Sequence, residues 1–488
     1  MGAGRIYWGQ LAAVFGVIAL GAIVATQWVA ARLGFQAALG APDAMILGHP
    51  AYAPWRFLVW WFEFDAYARP IFETGGWIVL GFTALAIALA FGFSLWRSRE
   101  SSHSVTYGSA RWAGPRDIKR MGLLKGDGVI LGAFNRQLLR HDGDEHVLVV
   151  APTNTGKSVG VSLPTGLVWR HSYVALDLKG EAWEVTSGLR ASFGAVHRFA
   201  PTSAATSRYN PLTAIRRGEA EVRDAQVLAD MLVDPEGALR ERSHWQLRAF
   251  ELLVAVILWT LYAEQRKTLA RVGELLADPA RPVMSLLEEM LRRPIKDGHA
   301  HPVVAAGARQ LLDMADAERS GVVSTALGYL ALYRDPILAR ATEASDFSIE
   351  DLITGPRPVS LYLVVPPEEI SRLKALLRLV LNQMLKRLTE IAAEQRGQGR
   401  RVLLMLDEFP QLGRLDFFEH ALAYIRGYRI KACLVAQSLN QISQAYGEHS
   451  SILDNAHIRV AFACNDERTA KRISDMLGVT TETRAQMN

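Results

Sequence analysis

The sequence predicts an α/β chain: a parallel sheet with helices on both faces, an all-α segment inserted into it, and two transmembrane helices ahead of it. Three observations carry this expectation. Short apolar runs alternate with amphipathic stretches, as buried parallel strands do when helices connect them. One run, His146 to Val150, leads directly into APTNTGKS at 151–158 and then into a helical stretch, the strand–loop–helix order of a P-loop. Two long uncharged apolar stretches precede residue 100.

The first apolar stretch, Ile6 to Ala31, runs 26 residues between Arg5 and Arg32; the second, Thr74 to Trp96, runs 23 between Glu73 and Arg97. A helix needs roughly 20 apolar residues to cross the hydrocarbon layer, so spans are expected at about 9–31 and 75–96. Trp8 and Trp28 bracket the first and Trp77 and Trp96 the second, as interfacial anchors do. A cleaved leader ending at Val29-Ala30-Ala31 is the competing reading, and the second span argues against it. Residues 97–120 carry six Lys or Arg against two acids, whereas the loop at about 32–73 carries three Arg against four acids. The positive-inside rule then places the N-terminus and everything after 97 in the cytoplasm. Within the loop, PWRFLVWWFEFDAY (54–67) reads as a segment lying on the bilayer, the alternative being a docking patch for another membrane protein. Leu252 to Tyr262 is apolar for only 11 residues and reads as a buried core helix.

Composition excludes other classes. Net charge is +5, from 54 Lys and Arg against 49 Asp and Glu in 488 residues, too weak to argue by itself for nucleic-acid binding. Cys433 and Cys464 sit in apolar runs without a CxxC pair, and the 12 His show no metal-ligand spacing. Neither a zinc site nor a disulfide framework is expected.

The loop at 151–158 carries the chemistry of phosphate binding. Consecutive backbone N–H groups of Thr153, Asn154, Thr155 and Gly156, with the helix N-terminus that follows, would wrap the phosphates of ATP. Lys157 would place a charge on the β- and γ-phosphates, and the Ser158 hydroxyl would ligate magnesium. Ala151 stands where such loops usually begin with glycine, and alanine suffices there if φ stays negative. Arg401 to Glu408 (RVLLMLDE) reads as a strand delivering Asp407 to the sheet edge to hold magnesium through water, with Glu408 beside it as general base. An apolar run ending in Asp-Glu is by itself often just a strand reaching solvent; the upstream P-loop makes the pair informative.

Further strands are expected at 173–177, 359–365, 430–436 and 458–463, and near 198. Gln437, after the 430–436 strand, is placed to sense the γ-phosphate, against the plain reading of a surface amide. Helices are expected over 216–235, 243–265, 283–293, 302–316 and 318–333. The chain thus divides into a membrane anchor (1–100), a first part of a nucleotide-binding domain (101–215), an all-α insert (216–340) and a second part (341–488). It stops at TETRAQMN without a packed helix end, which reads as truncation.

As an ordered set, these motifs resemble the type IV secretion coupling proteins, the TraG/TraD-like group. The matching stretches are SVTYGSARWA (104–113), the P-loop, DLKGEAWEVTSGLR (177–190), YNPL (209–212), ERSGVVSTA (318–326), LDEFPQLG (406–413), VAQSLNQI (435–442) and DNAHIRVAFACNDERTAKRISDMLG (454–478). The resemblance implies a RecA-like ATPase domain, a bacterial inner-membrane location and homo-hexamers with ATP at subunit interfaces. It also implies cargo, either a relaxase bound to single-stranded DNA or effector proteins, and docking on the inner-membrane subunits of a secretion channel. In related members a neighbouring subunit supplies an arginine, and Arg426 in YIRGYRIK best matches its place. The family continues past the position of Asn488. The rival readings are an FtsK-like double-stranded DNA pump and a cargo receptor that ATP merely locks.

Overall fold

The computed structural model describes residues 8–46, 48–101, 108–237, 239, 241–396 and 398–480. The start of the SVTYGSARWA stretch, at 104–107, and the terminal TETRAQMN lie outside the described residues. The chain divides into two units: the N-terminal segment to Arg111 with the residues from Gly478 on, and Trp112–Leu477.

The first unit contains α1 (Trp8–Arg32), a hairpin of β1 (Ala44–Ile46) and β2 (His49–Ala51), and α2 (Arg56–Ser101). The helix α2 has 46 residues, about 69 Å at the α-helical rise. It breaks at Ala68 (φ −146°, ψ 45°), two residues before Pro70, whose ring and missing N–H disrupt the hydrogen-bond ladder. The span expected from Thr74 therefore continues a helix that starts at Arg56. Packing explains the extension, because Phe57, Trp60 and Phe72 are buried with Val29, Ala30, Leu39 and Tyr52. Gly21 lets the helices approach closely; a Cβ there would lie 2.5 Å from Phe82 Cβ. Both helices are long and apolar enough to cross a membrane, and most of their apolar side chains are exposed.

The second unit opens with α3 (Pro115–Arg120) and a hairpin of β3 (Val129–Phe134) and β4 (Gln137–His141). It continues through β5 (Val147–Val150), α4 (Leu163–Val168), β6 (Ser172–Asp177), α5 (Glu181–Ala191) and β7 (Ala195–Phe199). Helices follow: α6 (Glu221–Val233), α7 (His244–Ala263), α8 (Leu269–Leu276), α9 (Val283–Arg292), α10 (Pro302–Leu312), α11 (Asp316–Tyr329), α12 (Pro336–Ala341) and α13 (Asp351–Thr354). The chain returns to the sheet with β8 (Val359–Val364), α14 (Ile370–Glu394), β9 (Val402–Leu406), α15 (Asp416–Ala421) and β10 (Ile430–Ala436). It ends with α16 (Leu439–Tyr446), α17 (Ile452–Asn455), β11 (Ile458–Ala461) and α18 (Glu467–Leu477).

Seven strands form one sheet in the order β11–β5–β10–β9–β6–β8–β7, and each neighbouring pair is parallel. Every residue of β5, β6, β8, β9 and β10 is buried, as a sheet covered on both faces requires. The apolar helix α7 belongs to this core, with 61% of its window buried. A capping box starts it: Ser243 Oγ accepts the Gln246 amide, and Gln246 Oε1 accepts the Ser243 amide. The helical spacing missed α8, which has only eight residues and is capped by Thr268, whose Oγ1 accepts the Arg271 amide at 3.1 Å. The helix expected over 302–316 stops at Leu312, because Ala315 is extended and α11 begins anew with Asp316 and Glu318 in its first turn.

His146, directly before β5, is fully buried. Its Nε2 faces the Leu422 carbonyl at 3.0 Å, and its Nδ1 accepts the Ala432 amide of β10 at 3.0 Å. A second ring proton would point at that amide. Burial pulls the pKa down from 6.5 to about 4, against the pull of the Leu422 carbonyl. The unfolded chain therefore binds a proton near pH 6.5 and the folded chain only near 4. Stability from this group is complete above about pH 6.5 and falls as pH drops toward 4, by up to roughly 3 kcal/mol. We expect the thermal midpoint of the wild-type chain to fall more between pH 7 and pH 4.5 than that of His146→Gln; equal falls would refute this assignment.

Candidate nucleotide site

The loop after β5 is fastened to the sheet by the Ala151 amide, which donates to the Ala436 carbonyl of β10 at 2.9 Å. Ala151 is fully buried and is not among the described residues with positive φ, so its methyl group fits where glycine is usual. Gly156 does need to be glycine, because its φ is 86°. Thr155 Oγ1 donates to the Pro152 carbonyl at 2.7 Å and closes the loop on itself. Residues Ser158–Ser162 form one π-helical turn before α4.

Three strand ends then converge. Lys157, from the β5 loop, donates from Nζ to Glu408 Oε1 at 2.7 Å and lies 3.8 Å from Asp407 Oδ1. Asp407 and Glu408 directly follow β9, and Glu408 takes a left-handed backbone conformation (φ 49°, ψ 39°) uncommon for a non-glycine residue. Gln437, directly after β10, donates from Nε2 to the same Glu408 Oε1 at 3.1 Å, and Gln411 Nε2 donates to Oε2. These groups line a cleft of about 260 Å³ together with Thr153 and Ser158.

The two carboxylates are tuned apart. Burial raises the pKa of Asp407, and the Lys157 charge only partly offsets it. Burial also pushes Glu408 upward, but the hydrogen bond and charge of Lys157, with the Gln437 amide, bring it below the ordinary value. Asp407 Oδ1 is buried without a hydrogen-bond donor. A bare carboxylate oxygen sharing a cleft with a serine hydroxyl fits magnesium, which takes one or two protein oxygens and fills its remaining positions with water and phosphate.

Residues 111–488 match the family of type IV secretory system conjugative DNA transfer proteins. The chain belongs to this family. It is 38% identical over 501 residues to the conjugal transfer protein TraG of Escherichia coli, covering 95% of this chain and 78% of that protein. It is 29% identical to VirD4 of Agrobacterium fabrum, covering 94% and 68%. Among solved structures, the unbound conjugative coupling protein TrwB, lacking its N-terminal segment, aligns with a TM-score of 0.57 at 19% identity, covering 76% of this chain and 80% of that one. TrwB in complex with ADP and Mg2+ aligns with a TM-score of 0.56 at 18% identity, covering 76% and 83%. At these identities the likeness is one of fold, the RecA-like sheet.

In this coupling-family chain the cleft brings together Thr153, Lys157, Ser158, Asp407, Glu408 and Gln437. Arg426 does not join them. It is exposed in a turn before β10, with one guanidinium nitrogen 3.4 Å from His457 Nε2. The seven-residue β10 separates it from Gln437, roughly 20 Å at the strand rise. Motif reading assigned no role in the site to Asp177, Lys179, Glu181 or Gln411, which also line the cleft. Asp177 gave the same signal as Asp407, a carboxylate ending a buried strand, but its Oδ2 accepts the Trp183 amide at 2.8 Å.

Lys157 Nζ, the group expected to meet the phosphates, is ion-paired with Glu408 at 2.7 Å. Glu408→Gln removes the competing charge, so it should tighten binding of ADP with magnesium about tenfold, as loss of a largely buried ion pair allows. Titration with a fluorescent ADP analogue measures this, and unchanged or weaker binding would count against the competition.

Proposed function

We propose that this chain is a membrane-anchored motor that hydrolyses ATP to pass cargo into a type IV secretion channel. The observation that carries the reading is the convergence of Lys157, Asp407, Glu408 and Gln437 from three adjacent parallel strands. Membership of the conjugative transfer family supports it. So do the TrwB complexes, which hold ADP with Mg2+ or a non-hydrolysable ATP analogue.

In this reading the backbone amides of 153–156 and Lys157 hold the phosphates. As γ-phosphate enters, Lys157 transfers from Glu408 to the phosphate. Glu408 then loses the interaction that depressed its pKa and becomes a better base. It takes a proton from water as the water oxygen bonds to the γ-phosphorus and the bond from that phosphorus to the ADP oxygen breaks. Ser158 and Asp407 hold magnesium, which when bound neutralises charge on the phosphates. Gln437, relieved of its bond to Glu408, reports the presence or loss of phosphate to α16. Arg426, exposed and remote from its own cleft, serves the cleft of a neighbouring copy in a homo-hexamer.

The cargo is a relaxase bound to single-stranded DNA, or an effector protein, with conjugative DNA transfer favoured by the family. In this reading the two apolar helices anchor the chain in the inner membrane next to the channel subunits, and the ATPase unit faces the cytoplasm. Contacts to DNA would be made to phosphate and would weaken with salt.

The full chain in detergent should hydrolyse ATP with magnesium. Lys157→Ala should lose binding and turnover together, whereas Glu408→Gln should keep binding and lose at least about 100-fold in turnover, the usual share of a general base. Stimulation by single-stranded DNA would support DNA cargo; full transfer by Glu408→Gln in a mating assay would sink the motor reading. Orientation is read in intact cells, in a chain whose Cys433 and Cys464 are replaced by alanine. Ala41→Cys should then react with a membrane-impermeant maleimide from outside the cytoplasm, and Ala204→Cys should not. The reverse pattern would invert the orientation.

A further inference from the structure

Arg378, on α14, is only 2% exposed and belongs to none of the motifs. Its Nε donates to the Leu412 carbonyl, its NH1 lies 3.0 Å from Glu236 Oε1, and its NH2 is buried without a hydrogen-bond partner. Leu412 ends the turn Phe409–Leu412 that begins directly after Glu408, and Gln411 of that turn donates to Glu408. Glu236 belongs to the loop between α6 and α7 in the helical region. One guanidinium thus joins the turn that sets Glu408 to a loop of the helical insert.

Two glycines make the junction close. Gly413 has φ 72°, and a Cβ there would lie 2.1 Å from Arg378 NH2. Gly237 has φ 66°, and a Cβ there would lie 2.7 Å from Asp416 Cβ. The loop is itself ordered by Asp234, whose Oδ1 accepts the Gly237 amide at 3.0 Å. From the other side, Phe409 packs at 5.8 Å between ring centres on Tyr446 of α16, the helix that follows Gln437. The turn is therefore held by the insert at one end and faces the helix after Gln437 on its flank.

A buried arginine with a donor left over is a poor choice for stability alone, because apolar residues of the same volume fill such a site at least as well. We propose that Arg378 is a positioning residue for Glu408, tying the placement of that carboxylate to the 234–237 loop of the insert. The proposal rests on the reading of Glu408 as general base. When Lys157 moves to phosphate and Gln437 is released, Glu408 keeps Gln411, which stands on the turn that Arg378 anchors. Movement of the insert loop then shifts the guanidinium, the Leu412 carbonyl and the base in turn, and the same path runs in reverse from the nucleotide.

The test uses the full chain in detergent. Steady-state ATP turnover should show kcat falling at least tenfold in Arg378→Met with KM within twofold, and Arg378→Lys should recover part of the loss. Hydrogen exchange at 234–237 should slow at least threefold on adding ADP with magnesium in the wild type, and not in Arg378→Met. The proposal is overturned by a raised KM with unchanged kcat, by Arg378→Lys behaving no better than Arg378→Met, or by loop protection that ignores the substitution or is missing in the wild type. If Arg378→Met does not fold, Glu236→Ala decides: it alters a half-exposed side chain, and loop protection surviving it refutes the tie. Retained turnover in Glu408→Gln would remove the general-base reading while leaving the exchange result to judge the tie by itself.

Discussion

The nucleotide cleft depends on β5, β10 and β9 running parallel and in register. Val147 lies opposite Cys433, and Cys433 opposite Met405, so the three C-terminal ends reach the same edge. Strand β10 sits between the other two and brings Gln437 to the same Glu408 oxygen that accepts from Lys157. A slip of one residue in either pairing would turn every side chain of a strand to the opposite face and carry the polar residues at its end away from the site. The sheet can enforce this register because these strands are buried along their whole length, leaving no polar face on which a slipped pairing could rest.

Much of this was legible in the sequence, for identifiable reasons. Continuous apolar runs such as VLVV and IKACLVA have a clear meaning when turn residues bound them, and the P-loop supplies its own context. Asp407 and Glu408 were legible because charge ends an apolar run abruptly. Asp177 ends a run in the same way, yet only the folded sheet shows that it shares the cleft. Arg378 was beyond reach, because a single arginine in an amphipathic helix reads as a solvated charge until the helix is packed. That the helix of the second span begins at Arg56 was not legible, because the charges between 63 and 73 interrupt the apolar pattern and the packing of Phe57 and Trp60 does not register in local hydropathy.

The charges of the cleft are largely balanced within it. Lys157 and Glu408 neutralise each other at 2.7 Å in a site where both are mostly buried. A carboxylate and an ammonium that each lacked a partner there would be strongly unfavourable, so each charge offsets the burial of the other. Asp407 remains the less well compensated carboxylate, as its raised pKa reflects.

The pairing of the strands also sets a timetable for synthesis. Among the described residues strand β5 pairs with β10 and β11, and Val147 meets its partner Cys433 across 286 residues of chain. At roughly 5–20 residues per second, a ribosome takes about 14–57 seconds to deliver that partner. Throughout that interval the P-loop strand is an apolar segment without a sheet, and closing so long a loop favours late assembly. The nascent chain therefore carries residues 147–150 as an unpaired apolar segment until β10 has been made.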